Sequence, residues 1–277
     1  MAHQSLAGVW RKVDWAKHHL SNLSAAIDAF NSSEKESDFV TVYPDFERKC
    51  FDFVTGQVRE ADSAWPAIVG DVAHNLRSAL DHLVCQLVVL NGNSIDYCTS
   101  KKTCFPICLS EQSFLDSTRR FASLIDPTAF AFIKELQPYI AANKPSSNPA
   151  ARAARFSNLW ILSELDIIDK HRTWIIVARY HGPMEFTYAI DNNVPVTIPV
   201  NTRWRPLEDG TEIASIDISA IPLDREHKMR VQMKAEAKIL FRDTGSCDGL
   251  EVVDSLAACF RHVSAIVGEF DRRFFSK

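Results

Sequence analysis

The stretch from Val69 to Leu90, VGDVAHNLRSALDHLVCQLVVL, carries the side chains best suited to chemistry: Asp71, His74, Asn75, Arg77, Ser78, Asp81 and His82. A solvated helix face usually mixes Lys, Glu and Gln, whereas this one mixes His, Arg, Asp, Asn and Ser. At 100° per residue, His74, Arg77, Ser78 and Asp81 fall within one arc of about 100°, and Asp71, Asn75 and His82 lie on its flank. An imidazole that titrates near neutral pH can take a proton from a ribose hydroxyl. A guanidinium beside it can hold a phosphate and offset the charge that develops there. Together they suit phosphodiester cleavage, with His82 as general base or acid and Arg77 as phosphate clamp. Ser78, Asp81 and His74 would orient the pair, and the scheme needs no metal or cofactor. Arg77 and His82 stand about 7.5 Å apart along the axis and about 140° apart around it, so they would border a groove filled from a facing helix. The same residues also suit a buried polar network joining two parts of the fold, and Arg77 with Asp81 is an ordinary i,i+4 ion pair.

Three further groups have weaker claims. Asp169-Lys170-His171-Arg172 closes another helical stretch, where basic residues complement the negative end of the helix dipole. If that end faces the central helix, Asp169, His171 and Arg172 would support the site. Arg230, Lys234, Lys238 and Arg242 alternate along a strand, about 6.6–6.8 Å apart, and such a row can track phosphates or simply face water. His18, His74 or His82, and His171 lie on different helices, as ligands do in bundle metalloproteins. His18 points away from its own helix's apolar stripe, however, and no H-x-x-x-H or E-x-x-H pair concentrates ligands, so no metal is assigned. The seven cysteines include no C-x-x-C, and Cys98, Cys104 and Cys108 are spaced too loosely for a usual zinc clip. Reduced thiols are expected.

Around these residues the sequence predicts long helices. Val69, Ala73, Leu76, Leu80, Leu83, Leu87 and Leu90 repeat at steps of four and three, the spacing of one buried stripe. Val9, Val13, Ala16, Leu20, Leu23, Ile27 and Phe30 repeat it over a first helix from Ala7 to Phe30. Val253, Leu256, Phe260, Val263, Val267, Phe270 and Phe274 repeat it over a last one. Each stripe corresponds to about 33 Å of helix. A fourth helix is expected from Ala153 to His171, apolar nearly all round except for a charged strip at Asp166, Asp169 and Lys170. Between these, Phe39–Tyr43 and Arg48–Thr55 read as a hairpin, and residues 110–137 as two short helices divided at Asp126-Pro127. Pro138–Ala150 reads as a loop. From Thr173 to Arg242 the period becomes two, giving about five strands: TWIIVARY, MEFTYAI, NVPVTIPV, TEIASIDI and MRVQMKAEAKILFR. Pro195 and Pro199 send the third to a sheet edge. The expected fold class is α+β, a bundle of long antiparallel helices with an inserted, largely antiparallel β-sheet. Its parts are a helical bundle over 1–172 with a short hairpin near 38–56, a β module over 173–242, and a C-terminal helix over 243–277 that returns to the bundle.

The string Arg77-Ser78-Ala79-Leu80-Asp81-His82 resembles the R-x4-6-H signature of HEPN-domain proteins. That resemblance implies a helical bundle, often dimeric, and in active members metal-independent RNA cleavage by the Arg and His, with Ser78 as the polar residue that commonly follows the Arg. A similar spacing joins Arg11 to His18. The wider string GDVAHNLRSALDHL, with the later DKHR, is also similar to an uncharacterised bacterial protein family, a likeness that carries no function with it. A net charge of −4 argues against a non-specific polyanion binder. The first residues hold no apolar signal-peptide core, and runs such as LVVL and WIIVA are too short to span a bilayer. A cytoplasmic protein that engages no membrane is expected. No P-loop, G-x-S-x-G, G-x-G-x-x-G or RNP-type motif is present, which disfavours nucleotide-hydrolase, kinase, serine-hydrolase and dinucleotide readings. The expected function is a HEPN-like metal-independent endoribonuclease or RNA-binding relative, with RNA and a second copy of the chain as partners. The alternative is a non-enzymatic helical-bundle protein whose polar helix face mediates assembly or binds a small ligand.

Overall fold

A computed structural model describes residues 5–33, 40–100, 103–143, 149–171, 176–190, 195–200, 205–217, 219 and 229–276. Within these, only the backbone is described at 141–143, 149–157, 171, 176–177, 179–181, 183–184, 190, 198, 200, 205 and 229–236. The chain is a mixed α+β protein. Four long helices, α1 (Ala7–Ser32), α2 (Trp65–Leu90), α7 (Pro149–His171) and α8 (Val252–Phe270), share its larger core.

In α1 the buried residues are Val9, Val13, Ala16, Leu20, Leu23, Ile27 and Phe30, the stripe that the four-three spacing predicts. α2 begins earlier than its stripe, at Trp65-Pro66, because Pro is pre-organised for the first helical turn. The Trp65 ring meets Phe30 of α1 edge-on at 5.3 Å between centroids. α2 is buried over more than one stripe, for Val72, Ala79, Val84 and Val88 are also inside. It packs against α1, α7 and α8 at once, and this narrows its polar face.

α8 departs from the sequence reading. It ends at Phe270 and passes into a π-helical turn, Asp271–Phe275. Cys259 and Ile266 are buried where the stripe used Phe260, and Val252 where it used Val253. The small Cys259 side chain allows close approach to α7 and donates its thiol to the Asn158 carbonyl at 3.2 Å.

Five short helical elements join α2 to α7. They are α3 (Asp96–Ser100), α4 (Glu111–Thr118), a 3-10 turn (Ala122–Leu124), α5 (Pro127–Glu135) and α6 (Pro138–Asn143). Asp126 caps α5 by accepting from the Thr128 and Ala129 N–H groups at 2.8 and 3.2 Å. Pro138 opens a helix where a loop was expected, and the loop's residues 144–148 lie outside the described residues. Gln137, fully buried, explains this ordering. It donates to the Pro106 and Ile133 carbonyls and accepts from the Cys108 N–H, fastening α5 and α6 to the extended segment 103–108.

The strands form two antiparallel sheets rather than one. β1 (Val40–Asp45) and β2 (Cys50–Thr55) make the expected hairpin, and β2 pairs on its other side with β6 (Glu212–Asp217). In the second sheet β3 (Ile176–Ile190) lies between β7 (Met229–Arg242) on one side and β4 (Val196–Val200) and β5 (Arg205–Pro206) on the other. TWIIVARY and MEFTYAI are thus one strand, with a register shift between His181 and Met184 that accommodates Gly182-Pro183. β4, with Pro199, is at an edge, as the missing N–H requires. Phe51 and Phe53 of β2 pack on Phe186 of β3, so a small apolar core joins the sheets. Among the described residues, no helix is long and apolar enough to cross a membrane.

Candidate functional site

The polar residues of α2 divide into two groups. The first is closed around the peptide of Phe105, whose side chain is fully buried. Arg77 Nη2 donates to the Phe105 carbonyl at 2.7 Å, and Asp81 Oδ1 accepts from the Phe105 N–H at 2.8 Å. Arg77 and Asp81 also pair with each other at 3.3 Å. One i,i+4 pair therefore satisfies both backbone polar groups of a residue whose ring is buried, which pins segment 103–108 to α2. Only 14% of the Arg77 side chain is exposed, and its Nη1 is buried without a hydrogen-bond partner among the described residues. Burial raises the Asp81 pKa above the ordinary carboxylate value, against the opposing pull of Arg77 and of the Phe105 N–H. Asp166 adds to the rise, and Lys170 also opposes it.

The second group opens outward at His74. His74 Nδ1 lies 3.4 Å from Asp166 Oδ1 on α7, and Lys170 Nζ lies 2.8 Å from the same carboxylate. Asp166 is 8% exposed at its side chain and His74 48%, so a buried acid holds a solvent-facing imidazole. With Nδ1–H given to the carboxylate, Nε2 is left as the basic nitrogen, the arrangement of an oriented general base. The Asp169 side chain of α7 lies over Gly70, in the space a side chain there would take. A Cβ there would stand 2.3 Å from Asp169 Oδ1 and 2.6 Å from Asp169 Cγ.

The remaining positions named from sequence are placed as follows. Asn75 is buried, donates to the Asp71 carbonyl at 2.8 Å and accepts from Lys12 Nζ of α1 at 3.4 Å. The side chains of Asp71, Ser78 and His82 make no hydrogen bond or ion pair among the described residues, and His82 is exposed. His74 and His82 are thus not brought together, and His82 does not meet Arg77. The backbone of His171 ends α7, its side chain lies outside the described residues, and so does Arg172 altogether. In β7, Arg242 pairs with Glu208 and Asp243 at 3.6 and 3.7 Å, Lys238 is half-buried, and the side chains of Arg230 and Lys234 lie outside the described residues. The seven cysteines are free. Among the described residues, the one group with three close ligand atoms is Asp45, Cys50 and Asp52, and Arg48 already bridges its two carboxylates.

Asp166 is the functional candidate that sequence reasoning left unassigned. Its signal was a carboxylate in the charged strip of an otherwise apolar helix, but its partner stands 92 positions away. No family model, curated protein or solved structure matches this chain.

Proposed function

We propose that this chain is a metal-independent endoribonuclease or an RNA-binding relative of one, HEPN-like in its Arg77-to-His82 string but with His74 moving the proton in place of His82. The observation that carries this reading is the contact of the exposed His74 imidazole with the buried Asp166 carboxylate. His74 Nε2 would take the proton of a ribose 2′-hydroxyl as its oxygen bonds to phosphorus, and the bond to the 5′ oxygen breaks. The departing oxygen takes a proton from water, leaving a 2′,3′-cyclic phosphate. Lys170, beside the same carboxylate, offsets charge on the phosphate. Arg77 and Asp81 act as positioning residues through Phe105 rather than on the substrate. The same reading takes the four long helices as an antiparallel bundle, lets a second copy of the chain complete the groove, and places the protein in the cytoplasm.

A second reading rests on the Phe105 clamp. An Arg and an Asp both engaged with one peptide suit a non-enzymatic bundle whose polar face mediates assembly or binds a small ligand. Cleavage of a mixed RNA pool in EDTA separates the two. The enzymatic reading expects cyclic-phosphate ends from wild type and from His82→Ala, with loss of about 100-fold or more in His74→Ala. No cleavage by the wild type would favour the second reading, and loss in His82→Ala alone would return the role to the Arg77–His82 pair.

A further inference from the structure

The solvent side of α1 carries the chain's other Arg-to-His spacing, Arg11 to His18. At 100° per residue, Arg11, Lys12, Trp15, His18 and His19 fall within an arc of about 120°. No carboxylate lies in that arc, and Asp14 stands just beyond its edge. Trp15 is 57% exposed, the most exposed of the large hydrophobic side chains among the described residues. Its ring is 5.3 Å from His18 and 5.6 Å from His19, and the two imidazoles are 5.8 Å apart. Three flat rings are therefore gathered at the surface, flanked by two cations, in a chain of net charge −4. At the edge of the patch Lys12 reaches across to α2, where it donates to Asn75, next to His74 in the sequence.

We infer that Trp15, with His18 and His19, is a base-stacking platform for single-stranded RNA that leads toward His74. Every base has a π face that an exposed indole can stack upon, and Arg11 and Lys12 supply the phosphate contacts that a polyanion needs. Charge favours this occupant over a second copy of the chain. A two-fold interface centred on Trp15 would bring the cations and imidazoles of both copies together with no carboxylate in the arc to offset them. The choice of RNA and the direction toward His74 rest on the proposed function, but the binding itself does not require cleavage.

The test is fluorescence anisotropy of a labelled oligouridylate of about ten nucleotides, in EDTA. The full chain carries His74→Ala so that no probe is cut during titration. Trp15→Ala added to that background should weaken binding by about 5- to 150-fold, the range of one base–aromatic stack, while Trp15→Phe retains most of the affinity. Arg11→Gln with Lys12→Gln should flatten the dependence of affinity on salt. Trp15 is exposed, so a circular-dichroism spectrum unchanged by these variants is expected and excludes misfolding. Equal affinity with and without Trp15, or no binding in the His74→Ala background, overturns the platform. A change of oligomeric size in Trp15→Ala with RNA affinity intact overturns it too, and marks a contact between copies. Trp15-dependent binding by a wild type that leaves RNA uncut keeps the platform and rejects the nuclease, whereas cleavage indifferent to Trp15 does the reverse.

Discussion

Two neighbouring turns of α2 use the same kinds of residue to opposite ends. At Arg77 and Asp81 the cation and the carboxylate both grip the Phe105 peptide, and the guanidinium is almost covered. At His74 the carboxylate belongs to another helix, is itself buried, and holds an imidazole that faces water. What separates the turns is which partner is covered. A covered cation bound to backbone fixes the chain, whereas a covered acid behind an open imidazole fixes a proton acceptor. The contrast teaches that a list of polar residues along one helix does not locate chemistry until their partners are known.

The contrast can be broken most forcefully at Arg77. Removing it leaves the Asp81 carboxylate and the Phe105 carbonyl without their charged partner, so Arg77→Ala should cost about 3 kcal/mol in urea unfolding. His74→Ala, whose side chain is half-exposed, should cost less than about 1 kcal/mol. Equal losses would erase the distinction. Next in size, Asp166→Asn should lower kcat about 10- to 100-fold with little change in KM, because the imidazole loses its orientation rather than the substrate its contacts. A change confined to KM would make Asp166 a binding residue instead.

Asp81 sharpens the comparison through pH. Its pKa is raised in the folded chain, so the native state holds its proton over a range where the unfolded chain has released it. Stability contributed by the protonated acid is present below the unfolded value and falls as pH rises toward the raised one. The penalty of Asp81→Asn, measured by urea unfolding from acid to neutral pH, should therefore be largest in acid and shrink upward through the carboxylate range. A penalty that grows with pH would mean that the Arg77 ion pair outweighs burial. Gly70→Ala should have the smallest effect on stability, within about 1 kcal/mol, since the better helix propensity of Ala offsets the displacement of Asp169. Loss of more would show that the close approach of α2 and α7 is rigid.

Much of the scaffold is legible in the sequence because burial in a long helix is periodic. The α1 stripe from Val9 to Phe30 is buried residue for residue, and the hairpin, the start of α5 at Pro127 and the edge position of β4 follow from local chemistry. The misread places depend on distant contacts. α6 is ordered by Gln137, which bonds back to Pro106 and Cys108. The expected strands separate into two sheets because β6 pairs with the hairpin, through a register such as Phe51 with Ile216 that alternation cannot supply. Within the site, the α2 residues are legible as unusual, yet the fate of each is not. Arg77 meets a backbone carbonyl, a group every residue carries, and His74 meets Asp166 across a helix pairing that no local pattern encodes.

The most direct test of the central contrast is RNA cleavage in EDTA, measured with thermal unfolding, for wild type, His74→Ala and His82→Ala. Cyclic-phosphate products are expected from wild type and His82→Ala, with a rate about 100-fold or more lower in His74→Ala and closely similar unfolding temperatures for all three. An intact rate in a folded His74→Ala chain, or a wild type that cuts no RNA, would contradict the contrast.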